Sequence, residues 1–220
     1  GAFSDASALA SAMSTGIDAG AGDDSIGNGD EQGAGALTLG ATSTATGVAV
    51  SLGVEGSLKG DVSAGQALSK ASTEAQSAVT GLAGGGGLDE ITNSAAISAE
   101  AESTATAVGV SLSVGLAKDG SVSNPDAEVE GATLSEASSV AGAQAVGIDG
   151  GEDGDDIANS GALGLDARAT ATGVAVSLDV AGSLKGDVGS GKAQSEARTE
   201  AAATAMGIAG GEGADEITNT

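Results

Sequence analysis

The sequence predicts an all-β chain organised as a repetitive β-solenoid, β-roll- or β-helix-like, with a small-residue interior. Three observations lead there. A long motif recurs in register along the chain, and the stretches between recurrences alternate with period two. The apolar content is also too thin for an ordinary core: Leu, Ile, Val and Phe supply 40 of 220 residues, against 39 glycines and a formal net charge of −24. Chains with that balance cannot bury enough apolar surface to offset the entropy of ordering. Order must come from repetition, backbone pairing or a bound cation.

The repeats come first in chain order. Four segments align without gaps: TGIDAGAGDDSIGN (15–28), TGLAGGGGLDEITN (80–93), VGIDGGEDGDDIAN (146–159) and MGIAGGEGADEITN (206–219). Between them lie STATGVAVSL (43–52), STATAVGVSL (103–112) and ATATGVAVSL (169–178), with SLKGDV at 57–62 and again at 183–188. The chain therefore divides into a partial repeat over 1–28 and repeats over 29–93, 94–159 and 160–219. Neither end carries an atypical capping unit of the kind repeat arrays need. The expectation is a window of a longer array, with Gly1-Ala2 reading as a cloning remnant.

Each repeat holds two alternating stretches. From Ala193 the odd positions (Ala193, Ser195, Ala197, Thr199, Ala201, Ala203, Ala205, Gly207) are all small, while the even ones pass from Gln194, Glu196, Arg198 and Glu200 to Met206 and Ile208. From Ala99 the same holds, with Glu100, Glu102, Thr104, Thr106, Val108, Val110, Leu112 and Val114 on the second face. Successive side chains of a strand point to opposite faces, so this is β structure despite an alanine content that suits helix. Twenty residues in one strand would span roughly 66 Å, against a usual strand of about 5–6 residues. The sequence therefore predicts that each half-repeat of about 30 residues folds back, as a polar strand, a bend, an apolar strand and a glycine turn. The small face would point inward and let two sheets approach more closely than the usual ~10 Å. The Val/Leu band would lie on one outer sheet and the Glu/Thr band on the other. Stacked long antiparallel hairpins, with the Val/Leu band buried between layers, are the competing architecture.

The glycine-rich segment carries the candidate chemistry. GGEGADEIT (210–218) and GGGGLDEIT (84–92) have the form G-G-x-G-x-D-x-I-x; AGAGDDSIG (19–27) lacks the first glycine, and GGEDGDDIA (150–158) has Asp153 where the third belongs. These segments resemble the nonapeptide of the RTX, or hemolysin-type, calcium-binding repeats of large secreted bacterial surface proteins. The resemblance implies a turn whose carbonyls and aspartate ligate Ca²⁺. By position it implies Asp24, Asp89, Asp155 and Asp215 as ligands, with Gly20, Gly22, Gly85, Gly87, Gly151, Asp153, Gly211 and Gly213 in the turns and Ile26, Ile91, Ile157 and Ile217 toward the core. Independently of the family, calcium takes six to eight oxygens, backbone carbonyls included, and glycine permits the φ > 0 that such turns need. Tandem nonapeptides are absent, since each repeat holds one. A complete site then needs a neighbouring coil or further acids such as Asp18, Asp23, Asp149, Asp153, Asp156 or Glu216. The alternative is a plain glycine turn with a solvating aspartate.

Composition excludes several function classes. With no His and no Cys there is no thiolate nucleophile, no zinc site and no Ser-His pair. A carboxylate pair for glycoside hydrolysis needs a formed pocket, and Phe3 is the one aromatic available to line it. An acidic chain repels nucleic acid, and no run of 18 apolar residues could span a membrane as a helix. No enzymatic activity is expected. Thr44/Thr46, Thr104/Thr106 and Thr170/Thr172 repeat as T-x-T, which would suit an ice-binding face or simply a β-branched strand. Lys59-Gly60-Asp61 and Lys185-Gly186-Asp187 read as polar β-turns before they read as adhesion tripeptides. The functional expectation is an extracellular or cell-surface structural segment of an adhesin or filament protein, stiffened by Ca²⁺ at the glycine turns. Its partners would be other copies or neighbouring repeats, through the Val/Leu stripe. A metal-independent filament, sheath or S-layer scaffold is the alternative.

Overall fold

The computed structural model describes residues 2–30, 34–59, 62–63, 66–118, 122–123, 133–185 and 193–220. Among these there is no helix, and every regular element is a strand. In chain order they are β1 (Ala2–Asp18), β2 (Ser25–Asn28), β3 (Leu37–Ser57), β4 (Val62–Ser63), β5 (Ala67–Gly86), β6 (Glu90–Asn93) and β7 (Ile97–Ala117). Then follow β8 (Val122–Ser123), β9 (Thr133–Glu152), β10 (Asp156–Asn159), β11 (Leu163–Ser183), β12 (Ala193–Gly211) and β13 (Glu216–Asn219).

Equivalent strands of successive repeats pair side by side. β1-β5-β9-β12 form one long-stranded sheet, the A sheet, and β3-β7-β11 form the opposing C sheet. The four-residue strands form a third sheet in the order β2-β6-β10-β13, and β4 pairs with β8. All these pairs are parallel and follow the sequence repeat, so that Ala45 sits beside Ala105 and Ala105 beside Ala171. Pairing is parallel throughout, unlike the stack of antiparallel hairpins that the sequence also allowed. The architecture is β-solenoid-like.

Two expectations are corrected. The fold-back inside each half-repeat does not occur: β3, β7 and β11 each run 21 residues without interruption. Mean strand length is a property of sheets with mixed contents. Here the T-x-T-x-V stretch carries no turn chemistry, and a near-identical neighbouring strand pairs with its backbone N–H and C=O groups along its length. It follows that the Glu/Thr and Val/Leu bands do not lie on opposite sheets. Both occupy the outer face of the C sheet, end to end: Glu100 and Glu102 precede Val108 to Val114 on one strand, β7, at the same parity.

The interior is small, as the alternation predicts. Ala45, Ala75, Ala105 and Ala141 form one buried cluster, and Ala49, Ala71, Ala107 and Ala137 another. Alanine facing alanine lets the sheets close in, and Cα atoms of β3 and β5, and of β7 and β9, approach within 8 Å, below the usual ~10 Å for stacked sheets. Gly109 marks a close approach, since a Cβ there would lie 2.7 Å from the Glu136 carbonyl oxygen. At this spacing buried serines reach across the gap: the Ser69 hydroxyl donates to the Val110 carbonyl at 2.7 Å, and Ser111 to the Leu134 carbonyl at 2.6 Å. Larger apolar side chains gather where the sheets meet the short strands. Ile26, Leu82, Ile91, Ile97, Ile148 and Ile157 form one buried cluster there.

Interior bulk is therefore the most sensitive perturbation of the long sheets. Ala105→Leu, at 0% exposure, is expected to lower unfolding stability by about 1–3 kcal/mol through overpacking. Thr46→Leu, exposed on the outer face of the C sheet, should stay within about 0.5 kcal/mol. Urea unfolding followed by circular dichroism measures both.

Candidate metal centre

The four glycine segments form the bends between the A sheet and the short-stranded sheet, and each glycine in G-G-x-G has its own reason. The second adopts positive φ at Gly20 (98°), Gly85 (104°), Gly151 (113°) and Gly211 (100°). The third does so at Gly22 (116°), Gly87 (125°) and Gly213 (133°). Asp153, standing at the third position, takes φ 72°, a region aspartate enters more readily than other L residues. The first glycine provides room: a Cβ on Gly84 would lie 2.6 Å from Oδ2 of Asp89, and Gly150 and Gly210 stand in the same relation to Asp155 and Asp215.

Beyond the bend the pattern D-x-I-x-N turns Asp, Ile and Asn inward on alternate residues. Asp24, Asp89, Asp155 and Asp215 then fall in one column. The Asp24 N–H donates to Oδ1 of Asp89 at 2.8 Å, the Asp89 N–H to Oδ1 of Asp155 at 2.9 Å, and the Asp155 N–H to Oδ1 of Asp215 at 3.0 Å. Oδ2 of Asp24, Asp89 and Asp155 is buried without a hydrogen-bond partner. Asp89 and Asp155 are 3% and 2% exposed. Burial pushes the Asp155 carboxyl above its ordinary range; the Asp89 N–H opposes this, and the charges of Asp89, Asp215 and Asp153 add to it.

The glycine carbonyls have work of their own. Gly20 accepts from the Gly86 N–H, Gly86 from Gly22, and Gly151 from Glu212. These three carbonyls face neighbouring coils.

The further acids named from sequence stand apart from the column. Asp18, Asp23, Asp153, Asp156 and Glu216 are exposed and Asp149 is half-buried. Asp23 accepts the Leu88 N–H at 3.0 Å. Glu90, Asp156 and Glu216 border, with Asp89 and Asp155, a shallow depression on the outer edge of the bends. No group of three acidic side chains sits close enough to share one ion among the described residues. What the column offers a cation is negative charge and the partnerless Oδ2 atoms of Asp24, Asp89 and Asp155.

Sequence reasoning used Asn28, Asn93, Asn159 and Asn219 only as alignment marks. They form a second inward column, Asn28 Nδ2 donating to Asn93 Oδ1 at 2.7 Å, Asn93 to Asn159 at 2.6 Å and Asn159 to Asn219 at 2.7 Å. The D-x-I-x-N alternation was the available signal. Three isoleucines behave as the motif implies, Ile91 and Ile157 being fully buried and Ile26 6% exposed, whereas Ile217 on the last coil is 46% exposed. The T-x-T pairs align as Thr44-Thr104-Thr170 and Thr46-Thr106-Thr172. Gly60, Asp61, Gly186 and Asp187 of the two Lys-Gly-Asp turns lie outside the described residues. No family model, curated protein or solved structure matches this chain.

The raised Asp155 carboxyl fixes a sign for pH dependence. Unfolded, it titrates near 3.8; folded, it holds its proton to higher pH. Between those values the native state binds more protons than the unfolded state, so stability falls as pH rises through that window. Without divalent ions, the melting temperature should drop from about pH 4 toward about pH 7. Asp155→Asn should flatten that dependence measurably in parallel differential scanning calorimetry.

Proposed function

We propose that this chain is a structural segment of an extracellular or cell-surface adhesin or filament protein, in which each repeat closes one coil of a solenoid and Ca²⁺ stiffens the stack at the aspartate column. The observation that carries this reading is the column itself: four carboxylates in register, three with a buried oxygen lacking any partner. In-register parallel strands lie about 4.8 Å apart, so like charges repeat at that interval. Ordinary stacking offers no relief, because a carboxylate donates nothing to its neighbour.

Successive members of the column, Asp24, Asp89, Asp155 and Asp215, would each bind through Oδ2, with Glu90, Asp156 and Glu216 raising local cation concentration at the rim. When bound, the cation supplies neutralisation of the column. The protein's own residues hold the geometry: the glycines admit the carboxylates, and the Asp N–H groups orient each one toward its neighbour. Binding to the stacked state alone adds RT ln(1 + [Ca²⁺]/Kd), about 2.7 kcal/mol at a hundredfold excess. Affinities on the order of 10⁻⁴ to 10⁻³ M, usual for extracellular calcium modules, would leave the ion off in a calcium-poor cytosol and on outside. Export as an extended chain followed by stiffening is the functional consequence.

The metal-independent scaffold has one observation in its favour, the pairing of glycine carbonyls and Asp Oδ1 atoms with neighbouring coils. A single experiment separates the two. Thermal unfolding in chelator and in millimolar CaCl₂ should show a rise in melting temperature with calcium. The Asp89→Asn/Asp155→Asn variant should match or exceed the native chain in chelator and lose the calcium response. Identical melting of the native chain in both conditions would leave the scaffold reading standing and remove calcium.

A further inference from the structure

The outer faces of the two long sheets differ in kind. Exposed positions of the A sheet are punctuated by charge: Asp5 on β1, Glu74 on β5, and Glu196 with Arg198 on β12. On the C sheet, no outward side chain from Thr104 to Leu116, or at the equivalent positions of β3 and β11, is charged. That stretch is a ribbed aliphatic plane, in which Val50 beside Val110 beside Val176 and Leu52 beside Leu112 beside Leu178 repeat in register. Val50 is 61% exposed and Leu178 54%. Nine aliphatic side chains of this band are each 42–61% exposed, a contiguous apolar surface of the kind that marks an interaction site.

What covers it is indicated by shape and by charge. A strongly acidic chain repels a second copy wherever the two present carboxylates, and this band is the broad surface where they do not. The plane is self-complementary, because side chains in register form ridges whose grooves accept the ridges of an identical sheet. The two ends of the band differ in sign on β7, where exposed Glu100 and Glu102 lie before it and exposed Lys118 after it; on β11 Asp166 and Arg168 stand beside the two glutamates and pair with each other. Packing two copies with strands in the same direction sets Glu on Glu and Lys on Lys. Reversing one copy sets Val and Leu on Leu and Val about the Ser111 row, lays Leu116 over the Thr106 row, and brings the Glu102 end of each copy beside the Lys118 end of the other.

We propose that the outer face of the C sheet is a homotypic interface, on which a second copy of this chain packs with its strands antiparallel. This goes beyond the cation reading and does not depend on it, so the test is run in chelator.

Sedimentation equilibrium should give a concentration-dependent monomer–dimer equilibrium. Leu112→Asp, facing outward, should weaken the dimer about a hundredfold or more with an unchanged β-sheet circular dichroism spectrum. Glu100→Lys/Glu102→Lys should weaken it by a smaller factor, and adding Lys118→Glu to that variant should restore part of the loss. Three results would overturn the proposal: a monomer throughout the micromolar range, a dimer indifferent to Leu112→Asp, or a monomer that instead floats with phosphatidylcholine vesicles. Failure of the charge reversal to recover association would overturn the antiparallel arrangement.

Discussion

Everything in this structure depends on how closely the two long sheets approach. Cα atoms of facing strands come within 8 Å, and that spacing admits Ala, Gly and Ser and little else. Small residues contribute little individually through burial. Stability is correspondingly shifted to the backbone ladders, to serine hydroxyls bridging the gap, and to a compact aliphatic cluster of Ile and Leu near the short strands. Bulky residues excluded from the interior have one other place to go, the outside, and there they form the Val/Leu plane.

Parallel stacking in register has a second consequence, that like sits on like. For isoleucine this is packing, and for asparagine it is a self-complementary chain of amide hydrogen bonds. For aspartate it is a conflict. The backbone N–H of the preceding aspartate in the column settles one oxygen of the Asp89 and Asp155 carboxylates, and the other stays buried and unpartnered. A sequence that places aspartate in an inward column four times maintains that conflict in every coil, which is the strongest physical argument for an external charge that relieves it.

Much of this was legible beforehand. Gap-free recurrence of the glycine segments gave the stacking register, and period-two alternation gave the small interior. The G-G-x-G spacing foretold positive φ at Gly85, Gly87, Gly211 and Gly213. Strand length was not legible, because the usual 5–6 residues is an average over sheets whose strands meet turns, whereas β3, β7 and β11 meet identical copies of themselves. Misjudging that length also split the Glu/Thr and Val/Leu bands between two sheets. At the candidate site, the sequence pointed to the aspartates that stack in one column and did not show that the carbonyls of Gly20 and Gly151 accept from neighbouring coils. The hydrogen bonds that a neighbouring coil makes to such carbonyls are not written in a single repeat. The role of Asn93 and its equivalents was hidden for the opposite reason: an invariant position in a repeat reads as a landmark until its neighbour across the coils is known.

The in-register parallel stack is the premise of the rest, and the absence of native cysteine makes it directly accessible to cross-linking. Thr104 and Thr170 are lateral partners on the outer face of the C sheet, while Thr172 pairs with Thr106. Paired Cα atoms of adjacent strands stand about 4.8 Å apart, inside the ~4.4–6.8 Å that a disulfide spans, and a two-residue offset along the strand takes them outside it. Mild oxidation should therefore join Thr104→Cys to Thr170→Cys rapidly within one chain and leave Thr104→Cys with Thr172→Cys largely reduced. Equal cross-linking of the two pairs, or preference for the offset pair, would contradict the stack on which the site, the proposed function and the interface all rest.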